Sequence, residues 1–75
     1  MDQMLLDVFR EVFNDPDLIV DENSTAADVP SWDSFNHMNL IMAIEEKFGV
    51  SFSTKEIGQM GRVGDLIVLL QQKLK

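Results

Sequence analysis

Apolar residues near the start of the chain return at Leu5, Val8, Phe9, Val12 and Phe13, the i, i+3, i+4, i+7 repeat of one helix face. The repeat predicts a helix over residues 2–13. Asp2 and Asp7 lie early in it, where the positive end of the helix dipole favours acids. Pro16 is expected to end it, because the residue before a proline is driven out of the helical region. A second periodic stretch covers residues 34–48. At about 100° per residue from Ser34, Leu40, Ile41, Ile44 and Phe48 fall between roughly 240° and 340°, a core-facing stripe. Phe35, Met38 and Met42 fall between roughly 40° and 100°, a second apolar stripe. Ser34 and Glu45 lie between the stripes, and Asn36, Asn39, Ala43, Glu46 and Lys47 occupy the polar side.

Gly49 is expected to stop this helix as a left-handed residue past its end. Thr54 is expected to cap a short helical turn over 55–60. The last helix is predicted over 63–74, with Val63, Leu66, Ile67, Leu69, Leu70 and Leu74 inward and Lys73 and Lys75 complementing its negative end. Residues 14–33 form a connection longer than structureless loops usually run, so Leu18, Ile19, Val20, Val29 and Trp32 are expected to pin it. Its acids lack the Asp-x-Asp-x-Asp-Gly order of a calcium loop. Gly58, Gly61 and Gly64 match no phosphate-binding loop and read as turns and hinges. These elements predict an all-α fold, a small three- to four-helix bundle with a long first loop and a short third helix, one domain over residues 1–75.

Size and charge narrow the function. A chain of 75 residues removes only about 60% of its unfolded surface on folding. That leaves little room for a deep, dry active site beside a core, and favours a carrier or binding module over a self-sufficient enzyme. The net charge of −7 disfavours nucleic acid and attracts basic protein faces. Nine of the 13 acids lie in residues 1–33, which biases electrostatic docking toward that half. The chain has no cysteine, so any thiol chemistry needs an imported thiol. Met1-Asp2-Gln3 lacks the basic start of a secretion signal, and the apolar runs are too short for a membrane span. A cytoplasmic monomer is expected.

The candidate chemistry is concentrated at Ser31-Trp32-Asp33-Ser34-Phe35-Asn36-His37-Met38. Asp33 is the expected N-cap and Ser34 the first helical residue, so the serine hydroxyl projects where unpaired N–H groups and the helix dipole would favour an ester phosphate. A hydrolytic arrangement of Ser34, His37 and Asp33 is the enzymatic alternative, since residues three apart on a helix are neighbours. It lacks an oxyanion loop and a nucleophile elbow, and His37 falls near 300°, on the core-facing side.

Asp33-Ser34-Phe35, then Leu40-Ile41-Met42-Ala43-Ile44-Glu45-Glu46-Lys47-Phe48, then Val63-Gly64-Asp65-Leu66, resemble the acyl carrier protein family over nearly the whole chain. The resemblance implies a bundle whose short third helix moves to admit an acyl chain. It implies a 4'-phosphopantetheine arm on Ser34, transferred from coenzyme A by a phosphopantetheinyl transferase, with Asp33 as motif residue and cap. Acyl groups would ride on the arm as thioesters, and the chain itself would be no enzyme. Partners would be acyl-transferring, ligating or synthase enzymes with basic docking faces, reading Phe35, Met38, Met42, Glu45 and Glu46.

Phe35 stands where the family commonly has Leu, and Asn36 and Asn39 where fatty-acid carriers are commonly acidic. These departures point to a specialised pathway over housekeeping fatty-acid synthesis. A D-alanyl or aminoacyl carrier, whose D-alanyl members share Asp-Ser-Phe, is the second carrier reading. The non-carrier alternative is a small helical interaction domain that docks through its Met stripe.

Overall fold

The computed structural model describes residues 3–74 and builds them into four helices: α1 (Gln3–Val12), α2 (Ser34–Phe48), α3 (Thr54–Gly58) and α4 (Val63–Lys73). Among the described residues there is no strand. The expectations that rest on Asp2 and Lys75 lie outside the described residues. Leu5, Val8 and Phe9 of α1, Leu40, Ile41 and Ile44 of α2, and Val63, Leu66 and Leu70 of α4 are all buried in one apolar cluster. The periodic faces read from the sequence are therefore the faces that meet. Phe9, Phe13 and Trp32 close one end, with ring centroids 5.7–6.1 Å apart, an arrangement that adds aromatic contact to plain burial.

The end of α1 differs from the expectation. The chain leaves the helix at Asn14, whose φ of 53° is left-handed, two residues before Pro16. The Asn14 N–H donates to the Glu11 carbonyl (3.2 Å) and the Asp15 N–H to the Arg10 carbonyl (2.9 Å). This is the paired closure of a helix that reverses through a left-handed residue, and asparagine tolerates that conformation better than most side chains. Pro16 belongs to the turn that follows.

The long first loop is pinned by Val20, Val29 and Trp32, which are buried. Ile19 departs from the expectation and stands 76% exposed. Its neighbour Val20 takes the buried position instead. The loop acids serve turns: Asp21 accepts from the Asn23 N–H and Asp28 from the Thr25 N–H, both at 2.9 Å. Arg10 Nε donates to the Leu18 carbonyl (2.9 Å) and ties the loop back to α1.

α2 is bounded as expected, capped by Asp33 and stopped at Gly49, whose φ is 68°. α3 is capped by Ser53 instead of Thr54. Ser53 Oγ accepts from the Glu56 N–H (3.1 Å) and Glu56 Oε1 accepts from the Ser53 N–H (2.9 Å), a reciprocal box that starts the helix one residue early. Gly64 is a further correction. It lies inside the first turn of α4, where its N–H donates to the Glu22 carbonyl (2.8 Å) while the Val63 N–H donates to the Ser24 carbonyl (2.9 Å). Two N–H groups that a helix start leaves unpaired are thus satisfied by the first loop. A Cβ on Gly64 would sit 2.9 Å from the Glu22 oxygen, so its role is close approach and not hinge motion. Leu74, expected inward, is exposed at the end of α4. Lys73 does more than complement the dipole: its Nζ is 3.0 Å from Glu56 Oε1 and 5.3 Å from the Phe52 ring centroid, joining α4 to α3.

Candidate functional site

Asp33 sits in extended backbone (φ −105°, ψ −176°), the usual conformation of a residue just outside a helix. Its Oδ1 accepts from the Asn36 N–H (2.8 Å) and its carbonyl from the His37 N–H (2.8 Å). Ser34 is thereby fixed as the first residue of α2, and it is exposed. Asn36 adds a second clamp, since its side-chain amide donates to the Ser31 carbonyl (2.7 Å) and accepts from Asn39 Nδ2 (3.3 Å). The turn that presents Ser34 is therefore held from both sides of the serine.

Beside Ser34 lies an open groove of about 530 Å3. Asp33, His37 and Met38 line it from the α2 side, and Ile57, Gly58 and Met60 from α3 and the residues after it. Its largely apolar surface suits a hydrocarbon segment, and Ser34 is among its lining residues. Ile57 and Met60 are site residues that the sequence alone presents only as parts of a short turn. The local signal is their apolar character in an otherwise polar stretch. Their placement opposite His37 comes from tertiary packing.

The hydrolytic alternative finds no support in the ring of His37. Its Nδ1 accepts from Trp32 Nε1 (3.0 Å), and its Nε2 lies 3.3 Å from the Ile57 carbonyl. Both nitrogens are directed away from Ser34 chemistry and into packing.

The second apolar stripe of α2 faces outward: Phe35 is 74%, Met42 55% and Met38 46% exposed. The three side chains share one face of α2, apart from the face buried in the core. The two acids expected beside them part company. Glu46 is exposed. Glu45 is half-buried, and its Oε2 accepts from the Phe52 N–H (2.8 Å), which fastens the segment after α2 to the helix. Among the described residues no cluster of metal-ligating side chains occurs, and no helix is long and apolar enough to cross a membrane.

No family model matches the chain. Among curated proteins it is similar to an acyl carrier protein from Thermosynechococcus vestitus, 37% identical over 60 residues that cover 80% of this chain and 73% of the relative. Among solved structures it is similar to a holo acyl carrier protein from Geobacter metallireducens, with a TM-score of 0.90 and 36% identity, covering 99% of this chain and 87% of that one.

Proposed function

Because the chain belongs to the acyl carrier protein family, whose members are carriers and not catalysts, we propose that Ser34 bears a 4'-phosphopantetheine arm and that residues 1–75 act as one carrier domain. The observation that carries this reading is the placement of Ser34, an exposed serine at the first residue of a capped helix, in the lining of an apolar groove. A phosphopantetheinyl transferase would move the arm from coenzyme A to Ser34 Oγ. When bound, the arm supplies a terminal thiol that holds an acyl group as a thioester, chemistry that this cysteine-free chain otherwise lacks. The chain's own part is presentation. Asp33 and Asn36 keep the serine turn rigid, and N–H groups of the first turn and the helix dipole favour the phosphate.

Partner enzymes would dock on Phe35, Met38 and Met42, with Glu46 and the acidic first half of the chain supplying attraction to basic faces. Glu45 contributes through the bond that holds residues after α2 in place. Asn36 and Asn39 are neutral where fatty-acid carriers are commonly acidic, which leaves the helix with less negative charge. That favours a carrier for a specialised acyl pathway in the cytoplasm over general fatty-acid synthesis. The exposed Phe35 beside Asp33-Ser34 keeps a D-alanyl carrier as the second reading.

Ser34→Ala tests the proposal against an interaction domain. A carrier loses all acyl loading with the hydroxyl. An adaptor would keep its partner, and retention of every partner-dependent activity in Ser34→Ala would overturn the carrier reading.

A further inference from the structure

His37 lies one turn after Ser34, and its ring is held at three points. It stacks on the Trp32 indole with centroids 6.1 Å apart and planes 23° from parallel. Trp32 Nε1 meets its Nδ1 at 3.0 Å, and its Nε2 lies 3.3 Å from the Ile57 carbonyl oxygen. An indole N–H only donates, so Nδ1 must be the acceptor nitrogen and the ring proton must sit on Nε2. Nε2–H then donates to Ile57. The neutral ring is a strap from the turn before Ser34 to the backbone of α3.

α3 needs such a strap. At five residues it is far too short to hold itself, and none of its residues is fully buried. The Glu56–Lys73 pair ties it toward α4. The His37 bond ties it toward α2 and joins the two walls of the groove, since His37 lines one and Ile57 the other.

We propose that His37 is a positioning residue that sets the separation of the groove walls, and so determines which acyl chains the groove shelters; the cargo half of this rests on the carrier reading. Two substitutions separate the bonds. In His37→Asn the amide oxygen stands near the place of Nδ1 and can still accept from Trp32, but the side chain falls short of Ile57. In His37→Gln the amide nitrogen stands near the place of Nε2 and can still donate to Ile57.

Amide hydrogen exchange on the unmodified protein reads the strap directly. The amides of Ile57 and Gln59 should exchange about tenfold faster in His37→Asn than in His37→Gln, the factor that one net hydrogen bond supplies, with the Leu69 and Leu70 amides of α4 unchanged. Equal exchange in the two variants, or acceleration spread evenly over α3 and α4, would overturn the strap and leave His37 an ordinary packing residue. In the parent, nitrogen chemical shifts should show a bare Nδ1 and a protonated Nε2; the opposite tautomer would also overturn it. For the cargo half, an octanoyl thioester on each loaded variant should be cleaved faster by hydroxylamine in His37→Asn than in His37→Gln. Equal cleavage with a loosened α3 would refute control of cargo. A parent that accepts no arm would sink the carrier reading and the cargo half together, while the exchange result still judges the strap.

Discussion

Gly64→Ala reverses the sign that helix propensity alone predicts. Alanine is the better helix former by about 1 kcal/mol in a helix interior, so the change should stabilise α4 if local preference ruled. A steric clash outweighs that gain. The new methyl would lie 2.9 Å from the Glu22 carbonyl oxygen, a backbone atom that cannot rotate away. Relieving the contact moves the loop and stretches the Gly64 N–H bond to that same oxygen, now 2.8 Å. Overpacking costs about 1–3 kcal/mol and a lost hydrogen bond about 0.5–1.5 kcal/mol. After the propensity gain, a net destabilisation of about 0.5–3.5 kcal/mol remains. Gly58→Ala is the internal control, because nothing lies within 4 Å of its added Cβ and its φ is not positive. It should be neutral or stabilise by up to about 1 kcal/mol. Urea unfolding followed by far-ultraviolet circular dichroism measures both. In thermal melts the Gly64→Ala midpoint should drop, by about 4–8 °C for each 1 kcal/mol lost in a domain this small. A Gly64→Ala protein as stable as the parent would refute the close approach of the first loop to α4.

Gly49→Ala forces a side chain into the left-handed conformation at the end of α2 and should destabilise by about 1–2 kcal/mol in the same urea assay; an unchanged midpoint would contradict the observed φ of 68°. The Glu56 carboxyl is held below its ordinary pKa of 4.5, first by the Ser53 backbone N–H and then by Lys73. A depressed folded-state pKa means that its contribution is present above 4.5 and is lost as pH falls through the lower folded value. Parent and Glu56→Gln should therefore differ in stability at neutral pH and converge in acid, and a difference that persists at the acid end would refute the assignment. Met38→Asp should leave the helical spectrum intact, since Met38 is half exposed, while slowing arm transfer and acyl loading. Loss of the helical spectrum would place Met38 in the core and not on a docking surface.

The features legible in the sequence are those set by local periodicity and local chemistry. Leu40, Ile41 and Ile44 point inward, and Phe35, Met38 and Met42 form a separate stripe, because a helix maps spacing directly onto direction. Asp33 and Gly49 announce themselves as cap and stop by residue type. Ser53 and Thr54 both cap well, so residue type alone does not choose between them; the Ser53-Thr54-Lys55-Glu56 spacing of the reciprocal box holds the decisive signal. Gly64 looks like a hinge in the sequence because its reason is a distant neighbour along the chain, the Glu22 carbonyl, which no local pattern contains. The same holds for the bond from the Phe52 N–H to the Glu45 carboxylate, which the position of Glu45 on the helix does not announce. The Ser34 position is readable from its cap and helix, but the groove is not, because His37 and Ile57 meet only through folding.

The central claim is that Ser34 carries the arm, and intact mass tests it most directly. The parent and Ser34→Ala are incubated with coenzyme A and a broad-specificity phosphopantetheinyl transferase, with a known carrier modified in the same tube. The expected result is a gain of one phosphopantetheine in the parent, located at Ser34 by peptide mapping, and no gain in Ser34→Ala. An unmodified parent beside a fully modified control, or equal modification of Ser34→Ala, would contradict the claim.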